Sequence, residues 1–184
     1  AQFVGAKYSV RYIMNEYGEN IYPGDVFLAN DPYKGYSCHP PDWGFFRPIF
    51  QGDRLAFWTL ARAHVEDTGA AFPGAYFSDP YDIHSEGLLI PGVKVIERGR
   101  EQRDIMRLIF NNVRLAEGVR NDSYAMIAAT QLAENRLLDL IARYGIETVQ
   151  RCVGVLHART EQAVRACIRA MPDGIYRGES STDD

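Results

Sequence analysis

Two stretches of this chain, His39-Pro40-Pro41-Asp42 and His64-Val65-Glu66-Asp67, share the spacing H-x-x-D and hold two of its four histidines. Imidazole and carboxylate together make a ligand set that suits Mn, Fe or Zn. Such a set binds an ion only if several side chains reach one point, so the elements between the pairs decide the question. Residues 43–50 and 54–63 are two β-rich runs joined by Gln51-Gly52-Asp53, the length and chemistry of a hairpin loop. In an antiparallel pair the start of one strand adjoins the end of the next, which brings both H-x-x-D pairs to one end of the sheet. His39, Asp42 and His64 are then candidate direct ligands. Asp31 ends the preceding strand, and either Asp31 or Asp67 would complete the shell or hold a histidine from behind. The competing reading is two surface histidines, each hydrogen-bonded by its own aspartate. Spacing alone does not choose between them.

Other reactive residues carry weaker signals. Asp31 opens Asp31-Pro32-Tyr33-Lys34-Gly35, where aspartate is equally a turn former. His84 is a candidate acid–base or substrate-binding residue, as are Glu66 and Asp67 for proton transfer. Cys38 adjoins His39, but adjacent side chains diverge and do not make a nucleophile–base pair. Cys152, Cys167 and His157 fall in a helical pattern and read as structural, the cysteines as buried.

The supporting elements fall into two compositional halves. Residues 1–100 hold most of the Gly, Pro and aromatic residues, and residues 103–171 are helical in pattern. A helix is expected over residues 3–16, with Val4, Tyr8, Tyr12 and Ile13 on one side. A turn at Pro23-Gly24 leads to a strand at residues 25–30. Pro48 implies a free edge or a bulge in the first hairpin strand. The Gly/Pro/aromatic stretch at residues 69–82 is long for a passive connection. A strand pair or bent strand follows around Pro91-Gly92. Asp104 reads as the cap of one helix, with Ile105, Leu108, Ile109 and Val113 in its stripe. Asn121-Asp122 reads as the cap of a second, with Tyr124, Ile127, Ala128, Leu132, Leu138 and Ile141, ended by Gly145. A third runs from about Glu147 to Met171, with Val149, Val153, Leu156, Ala163 and Cys167 on one face. The expected fold is α+β: an N-terminal mixed β-hairpin and loop-rich region packed with a C-terminal layer of three helices.

Composition narrows the function. The net charge of −4, from 20 basic and 24 acidic residues, gives no electrostatic footprint for nucleic acid. No apolar run approaches the roughly 20 residues of a membrane span. Three cysteines without a CxxC pair fit a reducing cytoplasm. Nucleotide loops of the G-x-x-x-x-G-K-[ST] and G-x-G-x-x-G types are missing, as are H-E-x-x-H and G-x-S-x-G. The chain opens at Ala1 and closes on a polar tail just after Asp173-Gly174-Ile175-Tyr176 has begun what reads as a strand. Residues 1–184 are therefore expected to be a single-domain segment of a longer protein, with residues 172–184 opening a further strand.

Several of these runs together resemble the hydantoinase B/oxoprolinase family. They are Pro23 through Gly35, His39-Pro40-Pro41-Asp42, Arg62-Ala63-His64, Gly69 through Gly74, and Glu86-Gly87-Leu88-Leu89-Ile90-Pro91. Asn112-Val113-Arg114, Asp122 through Ala129, and Met171-Pro172-Asp173-Gly174 extend the match. The resemblance implies a subunit of an ATP-dependent enzyme that opens a cyclic amide or carboxylates a ketone with bicarbonate. It implies a hydantoinase A-type partner that handles ATP, with a small third subunit in some members. It also implies a Mn ion held by His39, Asp42 and His64, with Asp31 next in line. Zn and Fe suit the same donors. Three departures from the family pattern stand out: Tyr36-Ser37-Cys38 before the first histidine, Trp43-Gly44-Phe45-Phe46 after the aspartate, and His64-Val65 where a double histidine is usual. They suggest an aromatic pocket and favour an acetone- or acetophenone-carboxylase-like reaction over ring opening. A further alternative is an assembly module with a structural metal.

Overall fold

The computed structural model describes residues 2–181, with side chains from residue 5 onward. Its elements are helix α1 (Gln2–Tyr17), strands β1 (Val26–Ala29), β2 (Asp42–Gln51), β3 (Arg54–His64), β4 (Pro91–Glu97) and β5 (Arg100–Glu101), and helices α2 (Arg103–Asn111), α3 (Ala116–Tyr144) and α4 (Ile146–Ala170). A 3-10 turn, Ile83–Glu86, lies between β3 and β4. The strands form one antiparallel sheet in the order β3-β2-β1-β4-β5.

The sheet is covered on both faces, which explains why β1 reads Val-Phe-Leu-Ala with no polar alternation and is buried throughout. Val26 and Leu28 point to one face, where Trp43, Phe45, Val95, Met106, Ile109, Phe110, Val119 and Ile127 form the larger core. Phe27 and Ala29 point to the other face, against Ile13, Ile21 and Phe46. Ser9 and Ile13 carry the buried face of α1, while Tyr8 is exposed. Pro48 lies beyond the reach of the four-residue β1, so its missing N–H breaks no ladder on that side, and the ladder shifts register between Ile49 and Phe50.

At the far side of β1, Lys94 is nearly buried. Its Nζ lies 3.1 Å from Asp25 Oδ2 and 3.2 Å from Glu97 Oε1. The rings of Tyr17, Tyr22 and Phe27 surround it at 5.5, 5.0 and 5.9 Å. Burial pushes the Tyr17 hydroxyl above the ordinary tyrosine value, and Lys94 opposes that shift.

The helical half departs from the pattern reading in three places. The cap of α2 is Gln102, with no side-chain bond, and Asp104 lies inside the first turn; the buried stripe is Met106, Ile109 and Phe110, with Leu108 exposed. Helix α3 begins at Ala116, so Asn121-Asp122 lie within it. Its buried row runs through Val119, Ser123, Met126, Ile127, Thr130 and Ile141, whereas Tyr124, Ala128 and Leu132 are exposed. Arg47 of β2 reaches this helix, its Nε donating to Thr130 Oγ1 at 3.2 Å.

The chain divides into two compact units, Ala1–Leu137 and Leu138–Asp184, rather than at the composition change near residue 100. In the second unit Gly145 takes φ 78° and donates to Ile141 O at 2.8 Å, closing α3. From Arg151 to Ala170 every residue is exposed, including Cys152, His157 and Cys167. The expectation that these cysteines are buried in a packing layer is therefore corrected: helical spacing marks a face, but no described element covers this one. Residues 172–181 form no strand, and residues 182–184 lie outside the described residues. Among the described residues no helix is long and apolar enough to cross a membrane.

Candidate metal centre

Asp42 opens β2 and His64 closes β3, and the two are register partners on one rung. Paired residues on one rung project to the same face, so both side chains point the same way. His39 arrives from the preceding turn, which is tied in three places: Asp42 N donates to His39 O at 3.0 Å, Trp43 N to Pro41 O at 3.0 Å and Val65 N to Pro41 O at 2.9 Å. Asn30 locks that turn to the rest of the sheet. It is fully buried; its Nδ2 donates to Pro40 O at 2.6 Å and Leu88 O at 2.8 Å, and its Oδ1 accepts from Ile90 N at 2.6 Å.

Both imidazoles turn toward a single carboxylate. His39 Nε2 lies 3.5 Å from Asp42 Oδ2, and His64 Nδ1 lies 3.6 Å from Asp42 Oδ1. One donor atom from each residue falls within 4.8 Å of the others. Asp42 is fully buried, while the histidine side chains are about one-third exposed, at 32% and 35%. His39 Nδ1 is buried with no hydrogen-bond partner. Two rungs further, on the same face, stands Arg62, which donates from Nη2 to Ser9 Oγ at 3.1 Å. Burial holds the Arg62 guanidinium below its ordinary value, opposed by the charges of Asp42 and Cys38.

The structure assigns the other sequence candidates different places. Asp67 does not pair with His64. Its Oδ1 accepts from Gly69 N at 3.0 Å, and its Oδ2 from Arg114 N and, at 3.2 Å, Leu115 N. It ties the loop after β3 to the α2–α3 junction, where Arg114 also donates to Ala70 O at 2.6 Å. Asp31 accepts from Tyr33 N at 2.8 Å and Lys34 N at 3.0 Å, the turn-forming role, and is not part of the His39–Asp42–His64 group. Glu66 is exposed and packs toward Gly118 of α3. His84 is exposed in the 3-10 turn; its N–H and that of Ser85 bond to the capping Asp82 Oδ1 at 3.0 and 3.2 Å.

Two residues that the sequence reading passed over stand at the site. Tyr76, from the long loop, places its ring 5.4 Å from that of His64 with 3° between planes, and its Oη 3.2 Å from His39 Nε2. Glu86, from the same turn as His84, lines a cavity of about 170 Å³ with His39, Pro41, Tyr76, Phe77 and Pro80. The length and glycine content of residues 69–82 marked the loop as functional, but nothing in them singled out Tyr76. The aromatic pocket expected from Trp43, Phe45 and Phe46 is also corrected. All three are fully buried in the cores on the two faces of the sheet, and the cavity takes its aromatic wall from Tyr76 and Phe77.

Comparison with known proteins agrees with this architecture. The hydantoinase B/oxoprolinase family model matches residues 2–184. The caprolactamase subunit beta of Pseudomonas jessenii is 33% identical over 177 residues, covering 96% of this chain and 30% of that protein. The crystal structure of the ATP-dependent caprolactamase from Pseudomonas jessenii superposes with a TM-score of 0.88 at 31% identity, over 98% of this chain and 31% of the other. A nucleotide-free acetone carboxylase structure gives 0.74 at 27% identity, over 79% of this chain and 20% of the other. The chain thus spans about 30% of the length of the caprolactamase subunit it matches. With the family model matching from residue 2 to the end and the fold shared, the chain belongs to the hydantoinase B/oxoprolinase family.

Proposed function

We propose that this chain carries the divalent-metal site of an ATP-dependent enzyme that opens a cyclic amide. The observation that carries the reading is the convergence of two imidazole nitrogens, 3.5 and 3.6 Å away, on one fully buried carboxylate. That donor set fits Mn, Zn or Fe, with His39 Nε2, Asp42 and His64 Nδ1 as the holders. A bound ion would supply Lewis-acid polarisation of a carbonyl or activation of water.

The chain's own residues shape what reaches it. A cavity of about 170 Å³ beside the site is lined by both His39 and Glu86. Pro41, Phe77 and Pro80 give it apolar walls. The Glu86 carboxylate on the same lining is the group assigned to accept the N–H of a cyclic amide. ATP is assigned to a hydantoinase A-type partner subunit on the family resemblance. Similarity supports ring opening first, since the caprolactamase likeness exceeds the acetone carboxylase likeness in both identity and TM-score.

Ketone carboxylation is the second reading, favoured by the acetone carboxylase likeness. Assay of the purified enzyme with its partner subunits separates the two. Ring opening predicts ATP-dependent turnover of a lactam or hydantoin without bicarbonate. Turnover of a ketone that requires bicarbonate, with no lactam activity, overturns the first reading. A structural-metal module predicts that Asp42→Asn lowers thermal stability and leaves turnover in proportion to folded protein; loss of turnover at full folding rejects it.

A further inference from the structure

We infer that the turn between β4 and β5 carries a second binding site, built on Arg98 and Arg100, for the phosphate group of a small molecule. It lies at the opposite end of the sheet from the histidine–aspartate cluster and does not depend on the metal reading. Strand β4 pairs with β1 from Pro91 opposite Ala29 to Ile96 opposite Val26. The cluster adjoins the Ala29 end, through Gly44 and Asp42, and the turn lies beyond the Val26 end.

Arg98 and Gly99 join β4 to β5 as a two-residue turn, with φ of 49° and 78°. Both positions are left-handed, a conformation that asparagine or glycine takes more readily than arginine. A strained residue persists where its surroundings over-determine it, and such residues gather at functional sites. Here Arg98 N donates to the fully buried Asp25 Oδ1 at 2.8 Å, and Gly99 N to Gly24 O at 3.0 Å. The Arg98 guanidinium carbon then lies 3.7 Å from the centre of the Tyr22 ring. Lys94 Nζ stands 5.0 Å from the same ring, but Asp25 and Glu97 neutralise that cation. Among the described residues neither Arg98 nor Arg100 forms an ion pair.

The hollow beside this turn has a volume of about 810 Å³ and is lined by Asn20, Tyr22, Glu97, Arg98, Arg100 and Gln102. Glu97 has both oxygens engaged, Oε1 by Lys94 at 3.2 Å and Oε2 by Gln102 Nε2 at 3.5 Å. Tyr22 Oη donates to Asn20 Oδ1 at 3.2 Å, which leaves the Asn20 amide N–H groups as donors. A guanidinium stacked on an aromatic ring keeps its N–H edge for an oxyanion and needs little further ordering to bind one. Two guanidinium charges without a protein counter-ion match the nearly double negative charge of a phosphate ester better than the single charge of a carboxylate.

Isothermal titration calorimetry of the purified protein, at fixed ionic strength, against inorganic phosphate, ADP and a glutamate-rich peptide tests the site. The phosphate-bearing ligands should bind. Arg98→Asn, which suits the left-handed turn, and Arg100→Gln, on exposed β5, should each weaken them about tenfold while remaining folded by circular dichroism. Tighter binding of ADP than of inorganic phosphate names a nucleotide as the source of the phosphate group; equal or weaker binding names free phosphate. Binding of neither, binding of the peptide alone, or an affinity unchanged in either folded variant overturns the proposal. None of these outcomes bears on the metal reading, which is tested by metal content.

Discussion

Replacing Asn30 by aspartate changes one side-chain atom and should be among the most damaging isosteric substitutions in the protein. The Asn30 amide donates to Pro40 O at 2.6 Å and Leu88 O at 2.8 Å, while its oxygen accepts from Ile90 N at 2.6 Å. In Asn30→Asp the second carboxyl oxygen faces two carbonyl oxygens in a fully buried site. The new carboxyl must therefore take up a proton to fold. A free carboxyl titrates at about 3.9, so holding it neutral at pH 7 costs about 4 kcal/mol. Its single O–H serves only one of the two carbonyls, and the other loses its donor for about 1 kcal/mol more. The folded-state pKa is raised above the unfolded value, so the penalty is full above the folded pKa and fades as pH falls toward the unfolded one. Chemical denaturation should give a deficit of about 5 kcal/mol at pH 7 and about 2.5 kcal/mol at pH 5, relative to wild type at each pH. A deficit below about 1 kcal/mol at pH 7, or one equal at both pH values, would refute the assignment of Asn30 as the lock of the histidine turn.

Other substitutions test other links. Gly87→Ala places a Cβ 2.4 Å from Thr68 O at a φ of 115°, and should lower stability by at least about 2 kcal/mol in thermal denaturation. Asp67→Asn removes the charge that accepts three backbone N–H groups, and should cost about 2–3 kcal/mol and raise proteolytic cleavage within residues 69–82 without abolishing metal binding. Loss of metal there instead would place Asp67 among the ligands. Lys94→Met removes the counter-ion of the fully buried Asp25, leaving it only the N–H groups of Tyr22 and Arg98, and should destabilise by about 3 kcal/mol; adding Asp25→Asn should recover part of that loss in a double-mutant cycle. Glu86→Gln keeps the shape of the cavity and removes its charge, so it should raise KM for a cyclic amide several-fold with metal content unchanged.

The parts legible in the sequence were those that local chemistry dictates. The hairpin follows from two β-rich runs about Gly52, and its closing rung alone brings Asp42 opposite His64. Gly24 and Gly145 both take positive φ where a turn and a helix end were expected. Failures came where a residue's use depends on distant parts of the chain. Asp67 has the same spacing to His64 as Asp42 has to His39, but two of its three partners are 47 and 48 residues away at Arg114 and Leu115. Asn30 gains its importance from carbonyls contributed by two other segments. The stripe of α3 was misplaced because that helix carries apolar residues around its girth, so periodicity fits two faces and tertiary packing selects one; in α2 Ile109 and Val113 are buried as expected and only Leu108 leaves the stripe. For α4 periodicity identified a helix, but the face it defines is uncovered by any described element.

The most direct test of the account is the metal content of purified protein before and after Asp42→Asn, by elemental analysis and titration with Mn(II). Asparagine preserves size and removes the charge on which both imidazoles converge. Wild-type protein should hold about one divalent ion per chain, and the variant should lose it while remaining folded by circular dichroism. Wild-type protein that takes up no divalent ion, or Asp42→Asn that binds as tightly as wild type, would contradict it.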